Sequence, residues 1–223
     1  MKIDSGTSIL GLIDVQRTFM PGGGLPVADG DRIIPVINRL LPSFEHAFAT
    51  QDWHKPNHLS FASAHSGRAP YEAIELPYGP QILWPDHAIA GSQEAMIHPD
   101  IDQTRIEVVI RKGCRIALDS YSAFFENDHA TATGLDGWLR QRGFQELFLC
   151  GLATDFCVAW SAEDAARLGY RVTIVEDACR AIALPTAPKR TTMDDARDRL
   201  TALGVRFADS RDVVIARQDH LAG

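Results

Sequence analysis

Six short apolar runs alternate with longer amphipathic stretches along the chain. This alternation is the feature that most restricts the folds the chain can adopt. The runs are rich in Val, Ile and Leu, and we predict them to be strands. They cover residues 8–15, 46–52, 105–111, 146–152, 171–177 and 205–209. Strands that are apolar throughout are typical of a parallel sheet with helices on both faces. We therefore predict an α/β fold of three αβα layers, with a mostly parallel six-stranded sheet.

The stretches between the runs are predicted to be helices. They cover residues 30–41, 134–143, 155–169 and 189–204. Gly143, Gly169 and Gly204 stand where three of them should end, because helices often finish with a glycine. No repeat or low-complexity segment interrupts the 223 residues, so we predict one domain over residues 1–223.

One long interval, at about residues 53–101, contains no convincing long element. Loops of this length are usually functional or disordered. This interval contains two tryptophans and several histidines, whereas disordered segments are poor in aromatic residues. We predict an ordered excursion over the carboxyl edge of the sheet.

The overall composition favours a small-molecule partner. A net charge of -7 without a basic cluster argues against nucleic acid and against an anionic membrane surface. No apolar run has the length of a membrane span, and no export signal precedes the first strand, so we expect a cytoplasmic protein. The four cysteines have irregular spacing and are predicted to be free thiols.

Reactive side chains follow four of the predicted strands. In an open parallel sheet, ligands bind outside the carboxyl ends of the strands. The residues at or just beyond these ends are Asp14, Asp52, His54, Arg111, Lys112 and Cys157. Together they indicate an activated-thiol hydrolase with a metal ion beside the thiol.

Cys157 lies about one turn into a predicted helix, where the helix amino terminus can favour a thiolate. A thiol still needs a base or a cation to become a nucleophile at neutral pH. Asp14 can act as the base and Lys112 can supply the cation. Each residue also has an ordinary alternative: a buried apolar cysteine, an aspartate in a turn, and a solvated lysine.

Asp52 and His54 are two residues apart, so on an extended segment their side chains point the same way. On a helix His58 would align with His54, but Pro56 disfavours helical geometry there, so His58 has no guaranteed position beside His54. His58 stays a candidate for supporting a ligand or ordering the loop. His87, at the far end of the long interval, offers a third ligand. One Asp and two His suit Zn, Mn or Fe(II). The alternative for each histidine is a surface or hydrogen-bonded residue.

Several stretches resemble the nicotinamidases of the isochorismatase-like cysteine hydrolases in their order and spacing. They are LIDVQRTFMPGGGLPV, TQDWHKPNHLSFAS, WPDH, KGCRIALDSYSAFF, GLATDFCVAWSAEDAARLGY and EDACRAI. The resemblance spans nearly the whole chain. It implies a cysteine amidohydrolase that converts nicotinamide into nicotinate and ammonia in NAD salvage and also hydrolyses pyrazinamide.

The resemblance also implies the roles of individual residues. The catalytic triad maps onto Asp14, Lys112 and Cys157. The backbone amides of Ala153 and Cys157 form the oxyanion hole, next to a cis peptide bond between Leu152 and Ala153. The remaining matches are the metal ligands Asp52, His54 and His87 and the pocket residues Phe19, Trp84, Tyr121 and Phe156.

The resemblance further implies one divalent metal ion as cofactor, with zinc preferred over iron or manganese. A homo-oligomer is compatible with it. Three alternatives stay open: a carbamoyl amidohydrolase with the same triad, an isochorismatase that cleaves a vinyl ether, and a non-catalytic protein that binds pyridines. The first two are not expected to carry the metal ligands.

Overall fold

The computed structural model describes residues 3–213, and the six predicted strands form one all-parallel sheet within them. The strands are β1 (Ser8–Ile13), β2 (Ala47–Asp52), β3 (Ala73–Leu76), β4 (Gly79–Ile82), β5 (Ile106–Lys112), β6 (Glu146–Leu152), β7 (Arg171–Arg180), β8 (Pro185–Ala187), β9 (Arg190–Thr191) and β10 (Arg206–Ala208). The central sheet has the order β10-β7-β6-β1-β2-β5. The predicted α/β fold is confirmed. Residues 1–2 and 214–223, which the predicted single domain includes, lie outside the described residues.

The helices lie in the predicted stretches. They are α1 (Ile34–Leu40), α2 (Leu135–Gln141), α3 (Ala159–Arg167) and α4 (Thr192–Ala202). Short 3-10 turns occupy Arg17–Phe19, Gly30–Ile33, Leu41–Ser43, Ala62–Ala64 and Gln103–Arg105, and a π-helical turn, Thr154–Val158, leads into α3. At the ends of α2, α3 and α4, Gly143, Gly169 and Gly204 have φ of 80°, 93° and 76°, as predicted. None of the helices within residues 3–213 is long and apolar enough to cross a membrane.

The centre of the sheet is fully buried. Every residue of β1, β2 and β6 is buried, whereas the edge strand β5 alternates between partly buried and exposed positions before it ends at the buried Lys112. Continuous apolar runs thus mark the interior strands, and an alternating run marks the edge. The two hairpins β3–β4 and β8–β9 lie outside this sheet and were not predicted.

The long interval at residues 53–101 contains one 3-10 turn and the β3–β4 hairpin. It lies against the carboxyl edge of the sheet. Gln16 fastens it there, because its Nε2 donates both to the carbonyl of Asp52 (2.9 Å) and to the carbonyl of Ala95 (2.8 Å). A second attachment joins the backbone N–H of His54 to the carbonyl of Ala88 (3.1 Å). Both ends of the interval are therefore held close to the end of β2.

Gly151 allows β1 and β6 to approach closely just before both strands end. Its φ is +123°, and a Cβ placed on it would lie 2.0 Å from the carbonyl oxygen of Ile13. Because that neighbour is backbone, no side-chain rotation can relieve the overlap. Glycine at position 151 is therefore required for the residues that follow the two strands to approach each other.

We expect Gly151→Ala to lower the free energy of unfolding by at least about 3 kcal/mol, since it combines a steric overlap with an unfavourable φ. Gly137→Ala is the matched control, because no atom lies within 4 Å of its hypothetical Cβ on α2. The control should stabilise the protein by about 0.5–1 kcal/mol through helix propensity. Urea denaturation measures both values, and equal effects would contradict the close approach of the two strands.

Candidate active site

Four of the predicted site residues meet at the carboxyl edge of the sheet because their strands are neighbours. Asp52 at the end of β2 is in register with Lys112 at the end of β5. Asp14 directly follows β1, which lies between β2 and β6. Cys157 lies in the π-helical turn after β6. All four side chains are buried.

Lys112 is at the centre of this group. Its Nζ lies 2.8 Å from Asp14 Oδ2, 2.5 Å from Asp52 Oδ1 and 3.4 Å from Cys157 Sγ, and it donates to the carbonyl of Ser120 at 2.8 Å. The residue is 1% exposed. A buried ammonium needs such partners, because desolvating it alone is very unfavourable. One cation therefore bridges two carboxylates and a thiol.

The surroundings shift the proton affinities of these groups. Burial raises the pKa of Asp14, although Lys112 opposes the shift. Burial also raises the pKa of the Cys157 thiol well above its usual value, again against Lys112. Burial would lower the pKa of Lys112, but Asp14 and Asp52 hold it well above the usual value. Burial and the two nearby carboxylates therefore favour the protonated thiol, and Asp14 is a base of raised proton affinity beside it.

Asp14 is oriented by a neighbour that the sequence did not point to. Thr50 on β2 donates its hydroxyl to Asp14 Oδ1 at 2.6 Å and accepts the Asp14 backbone N–H at 3.0 Å. Asp14 has a φ of 48°, an uncommon value for a residue other than glycine. With Oδ1 occupied by Thr50, Oδ2 faces the lysine and remains able to take a proton.

Asp52, His54 and His87 bring three ligand atoms together, as predicted. Asp52 Oδ2 lies 3.6 Å from His54 Nε2 and 3.7 Å from His87 Nε2. All three side chains are buried, and their ligand atoms lie within 4.8 Å of one another. Burial would raise the pKa of Asp52, yet Lys112 and His54 hold it well below its usual range. Asp52 is therefore a carboxylate at neutral pH, with Oδ1 on the lysine and Oδ2 facing the histidines.

The second nitrogen of each histidine shows that this set fits a metal ion. His54 Nδ1 donates to the carbonyl of Gly113 at 3.1 Å, and His87 Nδ1 donates to the carbonyl of Pro85 at 2.8 Å. These bonds place the ring proton on Nδ1, so the Nε2 lone pairs face Asp52. Histidine ligands of metal ions commonly have this second hydrogen bond. A buried carboxylate and two such imidazoles suit a divalent ion.

His58 lies beside this set although its segment is not helical. Its ring centroid is 4.5 Å from that of His54, and its Nδ1 accepts the backbone N–H of Ser60 at 3.2 Å. In the neutral ring the proton is then on Nε2, which is buried and has no hydrogen-bond partner among residues 3–213. His58, His54 and Asp119 form a second group of ligand-capable atoms. Pro56 excluded the helix, as predicted, but did not move His58 away from His54.

The predicted aromatic residues line a narrow slot in front of the thiol. Phe19, Trp84, Tyr121 and Phe156 line one pocket together with Cys157, Ala153, Asp52, His54 and His87. The rings of Trp84 and Phe156 are nearly perpendicular at 4.9 Å, and Trp84 Nε1 donates to the Tyr121 hydroxyl at 3.0 Å. The slot is therefore lined by aromatic rings together with the metal-capable group and the thiol. The peptide bond between Leu152 and Ala153 is cis.

Arg111 is the exception among the residues predicted at this edge. Its guanidinium stacks over the ring of Trp53, 3.8 Å from the centroid, because neighbouring residues of a strand face opposite sides. Gly113 is a contributor that was not predicted: a Cβ there would lie 2.5 Å from His54 Cε1. The only signal for it in the sequence is its place directly after Lys112.

Comparisons with known proteins agree with this geometry. The chain is 46% identical over 204 residues to a nicotinamidase of Acinetobacter baylyi, covering 92% of this chain and 93% of the relative. The solved structure of a nicotinamidase/pyrazinamidase of Acinetobacter baumanii superposes with a TM-score of 0.90 at 47% identity, covering 93% of this chain and 98% of that one. A pyrazinamidase of Pyrococcus horikoshii in complex with zinc gives a TM-score of 0.71 at 29% identity, covering 91% and 98%.

The family assignment follows from the sequence itself. Residues 8–204 match the profile of the isochorismatase domain. This range includes five of the six strands of the central sheet, all but β10, and every residue of the cluster at its carboxyl edge. The chain therefore belongs to the isochorismatase family.

Proposed function

We propose that this chain is a metal-dependent cysteine amidohydrolase that converts nicotinamide into nicotinate and ammonia, and that it also accepts pyrazinamide. The observation that carries the proposal is the buried Lys112, which joins Asp14 to Cys157 in front of the aromatic slot. Similarity to the nicotinamidases supports the choice of substrate.

The first half of the reaction forms a thioester. Asp14 Oδ2 takes the proton of the Cys157 thiol while the sulfur attacks the carboxamide carbon. The backbone N–H groups of Ala153 and Cys157 stabilise the negative oxygen of the tetrahedral intermediate, an effect typically worth about 3–4 kcal/mol. The C–N bond then breaks, and the nitrogen takes the proton from Asp14 and leaves as ammonia. The raised pKa of Asp14 suits both steps, because the group must accept and return a proton.

The second half releases the acid. A water molecule gives a proton to Asp14 and attacks the thioester carbon, the C–S bond breaks, and the sulfur recovers the proton from Asp14. Lys112 keeps its charge throughout, since Asp14 and Asp52 hold its pKa well above the usual value. Its positive charge stabilises the thiolate each time it forms.

Asp52, His54 and His87 are proposed to hold the metal ion, and zinc is the proposed identity. When bound, a divalent ion at this position supplies a Lewis acid beside the slot. The zinc complex of the Pyrococcus horikoshii pyrazinamidase supports this choice. The aromatic side chains of Phe19, Trp84, Tyr121 and Phe156 suit a planar six-membered ring, whose carboxamide would then face Cys157.

The wider setting is also part of the proposal. We place the chain in NAD salvage in the cytoplasm, acting on a small molecule and not on nucleic acid or a membrane, and we propose that residues 1–223 form a single domain. A carbamoyl amidohydrolase is the rival enzyme, but it would not require the buried Asp52, His54 and His87. A silent pyridine-binding protein would not require a protonated thiol beside a base.

Cys157→Ala should lower the rate of ammonia release from nicotinamide by at least about 10³-fold, because it removes the nucleophile. Cys150→Ala is the matched control, since Cys150 is also buried but lies within β6. A coupled assay for ammonia measures both variants with metal restored. If wild-type protein releases no ammonia, the nicotinamidase proposal fails; if Cys157→Ala keeps full turnover, the thioester mechanism fails.

Removal of the metal should abolish ammonia release, and added zinc should restore it. His87→Ala should lower the metal content of purified protein to a small fraction of one ion per chain, because one of three protein ligands is lost. His98→Ala is the control, since His98 is partly buried and does not line the pocket. Metal analysis by mass spectrometry reads the content without relying on activity. Full metal content in His87→Ala would contradict the proposed ligand set.

The acid side of the kcat/KM profile should follow Asp14. The carboxyl must be deprotonated to take the thiol proton, and its pKa is raised from the ordinary 3.8, so activity should fall as pH drops through a midpoint above that value. Asp14→Asn should lower kcat/KM by about 10²–10⁴-fold at every pH. Steady-state kinetics across pH tests both statements. A midpoint at or below 3.8 would show that Asp14 is not the base.

A further inference from the structure

Asp155 is a buried carboxylate that the mechanism does not use. It lies in the π-helical turn two residues before Cys157 and is 2% exposed. A buried carboxylate must find hydrogen-bond donors or a cation, since its desolvation is otherwise strongly unfavourable. Its partners therefore show what the turn that carries the nucleophile is attached to.

The partners belong to one short segment after β7 and to the start of α4. Asp155 Oδ1 accepts the backbone N–H of Ile182 at 3.0 Å, and Oδ2 accepts the N–H of Ala183 at 2.7 Å and the Thr192 hydroxyl at 2.5 Å. The Thr192 hydroxyl in turn accepts the N–H of Leu184 at 2.9 Å. Three successive backbone N–H groups are thus held by one aspartate and one threonine.

This segment forms part of the substrate slot. Ile182 lines the same pocket as Cys157, Phe156 and Trp84. The next residue, Ala183, has a φ of 58°, an uncommon value for a residue with a Cβ. The segment therefore needs an external attachment to keep this conformation, and Asp155 supplies it.

We propose that Asp155 is a positioning residue for substrate specificity: it fixes Ile182 relative to the Cys157 turn and so sets the width of the slot. The inference rests on the proposed nicotinamidase function and names a determinant of its ring specificity. Because Asp155 in the nucleophile turn holds the segment that carries Ile182, loss of its carboxylate releases this segment without removing any atom that touches the ring.

The chemistry of the side chain makes Asp155→Asn a selective probe. A carboxylate offers acceptors on both oxygens, whereas an amide offers one oxygen and an NH₂ group that can only donate. In the variant, one of the N–H groups of Ile182 and Ala183 must face the NH₂, so at least one bond is lost while the size is kept. Asp177→Asn is the matched control: Asp177 accepts the N–H and the hydroxyl of Ser210 at 2.8 and 2.5 Å, away from the slot.

The test measures kcat/KM for nicotinamide, 5-methylnicotinamide and 6-methylnicotinamide. Ile182→Ala should raise the kcat/KM of at least one methylated amide, relative to that of nicotinamide, by about tenfold. This is the scale on which a pocket discriminates one methyl group. Asp155→Asn should raise the value for the same amide by at least about fivefold. Asp177→Asn should stay within about twofold of wild type for each amide, with an unchanged rate constant for Cys157 alkylation by iodoacetamide.

Two results would overturn the inference. In the first, the kcat/KM of the methylated amides relative to nicotinamide changes in Ile182→Ala but not in Asp155→Asn. In the second, it does not change in Ile182→Ala. If Asp155→Asn does not fold, Thr192→Val decides the matter, because it removes the hydroxyl that holds Leu184 and Asp155 but leaves two of the three bonds to Asp155. It should shift the same ratio in the same direction, and an unchanged ratio would overturn the inference. An inactive wild-type protein, by contrast, would reveal a failure of the proposed function.

Discussion

The ammonium of Lys112, buried among Asp14, Asp52 and Cys157, is the interaction on which the rest of this structure depends. An unpaired ion in this place would be unfavourable by several kcal/mol, and so would either carboxylate without it. The opposing charges are brought together by neighbouring parallel strands, so the sheet itself provides the geometry. Lys112 and His54 hold the pKa of Asp52 well below its usual range, whereas burial raises the pKa of Asp14 against the effect of Lys112.

The charge of Lys112 also connects two kinds of chemistry. Asp52 gives Oδ1 to the lysine and turns Oδ2 toward His54 and His87, so the thiol and the metal-capable group share a single carboxylate. The long interval at residues 53–101 is the part of the chain that closes this arrangement. It supplies His87 and Trp84, and Gln16 holds both of its ends against β2. A surface loop thereby gains a position fixed by the core of the sheet.

The sequence was sufficient for the strands, the parallel sheet and the edge at which Asp14, Lys112 and Cys157 gather. Each of these predictions depends on a local pattern, namely apolar runs and the residues at strand ends. In a parallel sheet such a pattern determines where a residue lies, because all strands end at the same edge. The bonds that orient the site were not predictable in this way. Gly113 and Pro85 contribute carbonyl oxygens, which any residue type could offer, and Thr50 acts through a pairing of β1 with β2 that only the folded register reveals. The position of His58 relative to His54 stayed open for the same reason, since periodicity describes faces of an element and not the path of a turn.

The central claim is that the protonated thiol of Cys157, activated by Asp14 and Lys112, forms a covalent link with the substrate. Acid quenching of the enzyme during turnover of nicotinamide, followed by mass spectrometry of its peptides, tests this most directly. The account predicts one nicotinoyl group on the peptide that contains Cys157, present during turnover and lost once nicotinamide is consumed. Turnover with the nicotinoyl group on a different residue, or with no residue acylated at any time of quenching, would contradict it.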